Sequence, residues 1–243
     1  MDLCISNREQ LLNEYLIPLS KISDNAVLKV QPGKIVTTIA TSDNTIISNA
    51  CYNDDKITAT NTLNIPDLKK LVRVLACIGD TELKFNIANN YIGYNSNDTR
   101  FKIHLYDDGI ISLPRLNFEK LNTIKFDGKF TLKSVAIANL IKGSTITTDS
   151  NKIYISTTSN TVRGDLTDMN RSNVDSYGMM LADDYIGTAI ATPIPLNFEV
   201  FRIISSMRFK TLDVQLNSSM NILVFDVTFN SSNMKFVVSA LMN

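Results

Sequence analysis

Short runs in which apolar and polar residues alternate make up most of the chain, and this pattern predicts a protein built mainly from β-strands. The segment from Phe101 to Leu105 is one example, with His104 at a polar position. In four longer stretches apolar residues recur every three or four positions, as they do on one face of a helix. These stretches are Asn7 to Leu19, Ile65 to Ile78, Thr131 to Lys142 and Pro195 to Lys210. The chain therefore belongs to the α+β class.

Proline and glycine predict where these helices begin and end. Pro66 and Pro195 would lie in a first helical turn, where the missing N–H group has no helical partner anyway. Pro18 would end or kink the first helix. Gly143 would close the third helix as a left-handed cap.

The second half of the chain repeats a segment of the first half at an offset of 129 residues. Ile65-Pro66 corresponds to Ile194-Pro195, and Arg73 corresponds to Arg202. The match continues into the next strand, where Leu83, Phe85 and Ile87 correspond to Leu212, Val214 and Leu216. An internal repeat of this kind predicts two domains of like topology.

A second match, between Gly33 to Val36 and Asn151 to Tyr154, has an offset of 118 residues. The difference between the offsets predicts an insertion in the second half, within the polar stretch Arg163 to Asp184. The domains would be residues 1–108 and 125–243, each mostly strand with two helices. Residues 109–124, with a glycine at 109 and a proline at 114, would form an extended connector.

Composition gives little sign of an enzyme among the 243 residues. Nucleotide-binding glycine motifs, H-E-x-x-H and C-x-x-C are absent, and the single histidine, His104, fits an ordinary strand position. Three acidic doublets fall in predicted turns, where they would usually be solvated; they are Asp54-Asp55, Asp107-Asp108 and Asp183-Asp184. We therefore expect no enzymatic activity, no cofactor and no metal.

The chain lacks the features of a secreted or membrane protein. No apolar run approaches the roughly 20 residues of a membrane helix, and Met1 to Arg8 does not resemble a signal peptide. The three cysteines at 4, 51 and 77 are too scattered for a metal site, and their odd number argues against a disulfide framework. We therefore expect a cytoplasmic protein.

Positive charge is concentrated on three of the four predicted helices, although 24 basic and 24 acidic side chains give no net charge. Each of the three carries a net charge of +2. At about 100° per residue, Lys70, Arg73 and Arg202 fall opposite the apolar faces of their helices. Charged outer faces are common on helices. The informative feature is that all three of these helices carry a net positive charge. The first helix differs, because its outward face would carry Gln10, Asn13, Glu14 and Ile17.

Two tandem α+β halves with basic helix faces make the chain resemble the DNA sliding clamps, most closely those of T4-type bacteriophages. More distantly, it is similar to the two-domain clamps of eukaryotes and archaea. The resemblance covers essentially the whole chain and includes Leu11 to Asn13 and Ile65 to Leu68, which open the two helices of the first half.

The resemblance implies a processivity factor: a homotrimeric ring of six like domains that encircles duplex DNA without reading its sequence. The sheets would form the outer wall and two helices per domain would line the hole. An ATP-dependent clamp loader would place the ring on DNA, where it would tether the replicative DNA polymerase. Carried over to this sequence, the DNA-facing residues are Lys69, Lys70, Arg73, Lys133, Lys142, Arg202, Arg208 and Lys210.

Two further surfaces follow from the same resemblance. Partner proteins of the family insert a short hydrophobic peptide beside the connector, for which the candidates are Leu113, Leu116, Phe118, Val238, Ala240 and Leu241. Ordinary core packing is the alternative for each of them. Ring closure would pair edge strands, for which Phe101 to Tyr106 and Tyr177 to Leu181 are the candidates.

Two other classes of function remain open at this point. A β-rich phage structural protein, such as a tail or baseplate component, would also suit duplicated domains and asparagine-rich turns. It would not need like-signed charge on three helices. An enzyme with a metal at an acidic doublet would need the doublets to converge in space.

Overall fold

Two units divide the chain in the structure, a computed structural model that describes residues 2–88, 90–116, 118–121, 123–148 and 150–241. The first unit contains the residues up to Arg115 together with Phe229–Met234. The second contains Leu116–Thr228 and the residues from Lys235 onward. The chain first passes from one unit to the other after Arg115. No helix within the described ranges is long and apolar enough to cross a membrane.

Eight strands form two antiparallel sheets in the first unit. The strands are β1 Asp2–Ile5, β2 Ala26–Gln31, β3 Lys34–Ala40, β4 Ile46–Asn53, β5 Asn61–Ile65, β6 Leu83–Ala88, β7 Tyr91–Asn95 and β8 Arg100–His104. One group of neighbours has the order β4-β3-β2-β5 and the other has the order β1-β6-β7-β8. Alternating burial along β3, β4 and β6 agrees with the period of two in the sequence.

The second unit has the same plan with one additional short strand. Its strands are β9 Gly128–Thr131, β10 Lys152–Thr157, β11 Val162–Leu166, β12 Tyr177–Ala182, β13 Ile186–Gly187, β14 Ile194–Asn197, β15 Thr211–Asn217, β16 Ile222–Thr228 and β17 Ser232–Ser239. Their orders are β12-β11-β10-β14 and β13-β9-β15-β16-β17. The predicted duplication is confirmed, because β1-β6-β7-β8 corresponds to β9-β15-β16-β17 and β4-β3-β2-β5 to β12-β11-β10-β14.

The structure confirms one of the two internal sequence matches and contradicts the other. The 129-residue match is confirmed, since it equates β6 with β15, which pair with the equivalent strands β1 and β9. The 118-residue match is wrong by one strand. It aligns β3 with β10, whereas the strand equivalent to β10 is β2, because β2 pairs with β5 as β10 pairs with β14. A longer loop does lie within Arg163 to Asp184, at residues 167–176 between β11 and β12.

The helices begin later than the sequence predicted. They are α1 Arg8–Gln10, π1 Leu11–Leu16, α2 Ile17–Ile22, α3 Leu68–Ala76, α4 Phe118–Leu121, α5 Ser134–Gly143 and α6 Glu199–Ser205. The side chain of Asp67 accepts a hydrogen bond from the backbone N–H of Lys70 and so caps α3, which places Pro66 before the helix. Pro195 lies in β14 opposite Tyr154, in a strand at the edge of its group, where a missing N–H is tolerated.

The first helix is continuous through α1, π1 and α2, and Pro18 does not end it. In π1 the backbone N–H of Ile17 donates to the carbonyl of Leu12, five residues back. A π-helical turn holds more residues than an α-helical turn, so side chains are rotated relative to the 100° pattern. For this reason the outward placement of Glu14 is wrong: it is 9% exposed, and its carboxylate accepts hydrogen bonds from the Ser231 backbone and the Asn230 side chain.

Gly143 is the last residue of α5, and the prediction that it adopts a left-handed conformation is wrong. Among the described residues the glycines with positive φ are Gly33, Gly109 and Gly187. Gly143 is required for a different reason, which is space. A Cβ atom at this position would lie 2.0 Å from the ring of Tyr177, at the start of β12.

We expect the substitution Gly143→Ala to destabilise the protein by about 1–3 kcal/mol, the usual cost of overpacking a filled site. The effect runs against helix propensity, which favours alanine over glycine by about 1 kcal/mol. Urea unfolding of the two proteins measures the difference.

The double variant Gly143→Ala with Tyr177→Ala provides the control for this prediction. Removing the ring relieves the clash, so alanine at 143 should cost less in the Tyr177→Ala background than in the native one. Equal costs in both backgrounds would show that the ring is not the cause.

Candidate nucleic-acid interface

All eight lysines and arginines carried over as DNA-facing have exposed side chains. Five lie within or near the helices of the second unit, and α5 packs beside α6 there. In the first unit α2 packs beside α3. Each unit therefore presents a pair of neighbouring helices. The exposed cations on these helices differ in whether an acidic side chain already forms an ion pair with them.

On α3 three basic side chains point outward, while Leu68, Leu71 and Leu75 are buried. Lys69 forms an ion pair with Asp24 at 2.8 Å. Lys70 and Arg73 form no ion pair with any described residue, so they are free to meet an external anion.

On α5 the positive charge is sparse. Lys133 occupies the N-cap position, and its Nζ lies 3.7 Å from a carboxylate oxygen of Asp183. Lys142 lies in the last turn, where a cation interacts favourably with the helix dipole. Val135 is 67% exposed on the same helix, so this surface contributes less positive potential than α3 does.

Arg202 on α6 is held by three neighbours. Its guanidinium donates to the side-chain oxygen of Asn151 at 2.8 Å and to Glu199 at 3.2 Å, and it lies 4.9 Å above the ring of Phe198. These contacts fix its position but use part of its hydrogen-bonding capacity. Arg208 and Lys210 lie beyond the end of α6 at Ser205, outside the helical stretch that was predicted to reach Lys210.

Lys21 was missed as a candidate, because Pro18 was expected to end or kink the helix. In the structure it is an exposed lysine in the last turn of α2. A proline is tolerated in the first turn of a helical segment, and Pro18 lies in such a turn. The sequence could therefore have predicted that the helix continues to Lys21. Lys21 adds a cation to the helix that packs beside α3.

The acidic doublets do not come together as a metal site. Among the described residues no group of three or more His, Cys, Asp or Glu side chains could hold a metal ion. Asp54 was expected to be solvated but is 7% exposed, because it accepts hydrogen bonds from the backbone and hydroxyl groups of Ser6 at 2.6 Å each. Burial, together with the Asp54 charge, raises the pKa of Tyr52 and keeps its hydroxyl protonated.

The two candidate assembly strands, β8 and β12, each lie at one edge of a sheet. The Leu105 N–H donates to the Asn90 carbonyl, and the Ser96 N–H donates to the Thr99 carbonyl. Since hydrogen-bonded and non-hydrogen-bonded pairs alternate in an antiparallel ladder, the N–H and C=O groups of Lys102 point away from β7. Strand β8 thus presents backbone groups along its outer edge.

A groove of about 570 Å³ lies in the first unit, on the sheet surface formed by β2, β3 and β4. Leu113, which is 44% exposed, lines it together with the other residues of the segment 111–115. Val27, Ala40 and Ile47 contribute apolar surface from the strands. The groove has the volume of a small-ligand or short-peptide site, and part of its lining is apolar.

The structure places the other candidate peptide-binding residues in the second unit. Leu116 and Phe118 pack against an apolar cluster of Leu121, Ile222, Val224 and Val237. Val238 is fully buried, so its side chain has no exposed surface to offer a peptide. Ala240 and Leu241 are partly exposed, and their backbone N–H groups donate to Asn221 and Pro195.

Comparison with known proteins adds information on the fold. No protein-family model and no curated protein matches the sequence. Proliferating cellular nuclear antigen (PCNA) from Entamoeba histolytica superposes with a TM-score of 0.78 and 14% identity, over 99% of this chain and 98% of its own. PCNA from A. fulgidus, in a structure with the C-terminal region of FEN-1 bound, gives a TM-score of 0.76 and 10% identity, over 100% and 98% of the two chains. The chain has the sliding-clamp fold.

A bacterial sliding clamp shows the same likeness over part of its length. The putative DNA polymerase III beta subunit from Eubacterium rectale gives a TM-score of 0.75 and 11% identity, over 100% of this chain and 66% of that chain. The predicted fold class is therefore confirmed, with two like α+β domains of antiparallel sheets and few helices. Identities of this size say nothing about the roles of individual residues, which rest on the geometry above.

Proposed function

We propose that this chain is a sliding clamp that encircles duplex DNA and tethers the replicative DNA polymerase for processive synthesis. The observation that carries the proposal is the duplicated clamp fold with exposed, unpaired cations on its helices, above all Lys70 and Arg73. Phosphate contacts of this kind hold DNA without reading its bases. A ring that stays on DNA by its topology needs little net charge, which agrees with 24 basic and 24 acidic side chains.

We propose a homotrimer, because a chain of two like domains closes a six-domain ring in three copies. Each join would pair β8 of one copy with β12 of the next. Both are edge strands, and β8 carries the cations Arg100 and Lys102, whereas Asp183 and Asp184 directly follow β12. Opposite charges at such a boundary favour association of the intended edges.

The remaining parts of the proposal concern partners and setting. The groove beside Leu113 would bind a hydrophobic peptide of the polymerase, and an ATP-dependent clamp loader would open the ring. The domains would be 1–108 and 125–243, with 109–124 as the connector that carries the groove. The protein would work without catalysis, as a T4-type clamp in the cytoplasm of a bacterial host.

Native mass tests the proposed assembly. Light scattering across a dilution series should give three times the chain mass of 27.1 kDa. A processivity assay with the cognate polymerase and loader should then show longer products when the protein is added.

Two results would contradict the proposal. A stable monomer at all concentrations would remove the ring, and an unchanged product length with an assembled trimer would remove the tethering role. Open polymers of indefinite length would instead favour the structural-protein alternative.

A further inference from the structure

The groove beside the connector has an uneven distribution of charge. Its lining comes from the loop after α2, from β2, β3 and β4, and from residues 111–115. Apart from Arg115, the lining side chains are apolar or neutral and polar. The groove therefore combines apolar and neutral polar surface, with one cation at its connector end.

The Arg115 charge is not neutralised within the described part of the chain. Its side chain is exposed and forms no ion pair with any described residue. The acid in the loop beside the groove, Asp43, instead accepts hydrogen bonds from Thr41 and from the Thr45 hydroxyl. A guanidinium is well suited to a planar carboxylate, which it can bind through two parallel hydrogen bonds.

We infer that the groove selects peptides that combine apolar side chains with an aspartate or glutamate beside them, the acid lying opposite Arg115. This inference rests on the proposed function, because it specifies the partner peptide of the proposed clamp. Charge complementarity carries it: an acidic residue would pair with Arg115, whereas a basic residue in the same place would be repelled.

The neighbouring groove on the same unit provides a contrast. It has a volume of about 750 Å³ and contains Lys29, Asp107 and Asp108. The carboxylate of Asp108 there accepts a hydrogen bond from Asn64 at 2.8 Å. With both signs of charge present, this second groove offers no comparable preference for an acidic peptide.

Peptide selection followed by affinity measurement tests the inference. Random dodecapeptides displayed on phage are selected against the full-length protein, and the enriched sequences are synthesised with a fluorescein label. Each peptide is made in two further forms, with its acidic residues changed to glutamine or to lysine. Binding is measured by fluorescence anisotropy to the native protein, to Arg115→Glu, to Lys29→Glu and to Leu113→Asp.

We expect apolar peptides with acidic residues to be enriched. Arg115→Glu should weaken their binding about 5- to 10-fold, as for an exposed ion pair replaced by a repulsive one, and the lysine form should recover affinity for this variant. Lys29→Glu makes the same charge change in the neighbouring groove and should leave binding unchanged. Leu113→Asp should weaken every form of the peptide.

Several results would overturn the inference: no enriched peptide, no preference for acidic over basic forms, or equal weakening by Lys29→Glu. Binding that is insensitive to Leu113→Asp would also overturn it, because the peptides would then bind elsewhere. The native-mass and processivity experiments do not depend on Arg115. A trimer that supports processive synthesis but shows no preference for acidic peptides would contradict this inference alone.

Discussion

Replacing Lys70 and Arg73 together by glutamate should reduce processive DNA synthesis by about 10-fold or more without disrupting the proposed ring. Both side chains are exposed on α3 and form no ion pair with a described residue, so they can contact phosphates directly. Removing one phosphate contact reduces the slope of log binding constant against log salt concentration by about one. Reversing the charge of the side chain adds repulsion from the phosphates. The measurement is product length on primed circular DNA with the cognate polymerase and loader, at several salt concentrations.

The double variant Lys29→Glu with Lys34→Glu is the matched control, because it makes the same change in net charge on exposed positions of β2 and β3. It should leave processivity close to that of the native protein. Lys69→Glu should have a smaller effect than Lys70→Glu, since Asp24 already neutralises Lys69 at 2.8 Å. Full processivity of the Lys70 and Arg73 double variant would exclude α3 from the DNA interface.

The substitution Lys102→Pro should convert the proposed trimer to monomers at concentrations where the native protein is fully assembled. Proline removes an N–H group that points away from β7, so the fold of the unit keeps its own ladder while the outer edge loses a donor. An unpaired carbonyl left opposite the proline costs about 1–3 kcal/mol, and a trimeric ring would contain the defect three times. Light scattering and sedimentation measure the change in mass.

Lys102→Ala is the control for this prediction. It removes the charged side chain but keeps the N–H group, so the proposed ring should persist with a modest loss of stability. Circular dichroism should show that Lys102→Pro keeps the native strand content. A proline variant that remains a trimer would show that the outer edge of β8 is not at the join.

The fold was largely predictable because its signals are periodic and repeated. Alternation located β6 and β15, and the arginines at 73 and 202 marked equivalent helices. The second match failed because a turn followed by an alternating strand recurs several times in such a fold. Gly33 to Val36 was therefore matched to β10, the strand before its equivalent, β11.

Helix boundaries and side-chain environments were less accessible, for local reasons. Asp67 caps α3 because its carboxylate accepts a hydrogen bond from the backbone N–H of Lys70. The neighbouring proline is also common at helix starts, and the sequence prediction followed the proline. Glu14 is buried because π1 rotates it away from its expected face. Its partners, Asn230 and Ser231, lie more than 200 residues away in the chain and left no signal near it.

Some of the candidate site residues could likewise be predicted from the sequence, and others could not. Exposed cations on helices follow from amphipathic spacing, so Lys70 and Arg73 were found from the sequence. The groove is formed by residues from β2, β3 and the connector together, and only Leu113 among the peptide-binding candidates lines it. Leu116 and Phe118 are apolar connector residues like Leu113, but they pack within the second unit. A single sequence does not reveal this difference.

The contact between Gly143 and Tyr177 has a consequence for how this sequence can diverge. A side chain at 143 and a ring at 177 compete for the same volume, so the two positions cannot drift independently. In descendants and relatives of this gene, an aromatic residue at 177 should occur with glycine at 143, and larger residues at 143 should occur only after the ring has been lost. The order of substitutions is thereby constrained: the tyrosine must be replaced first.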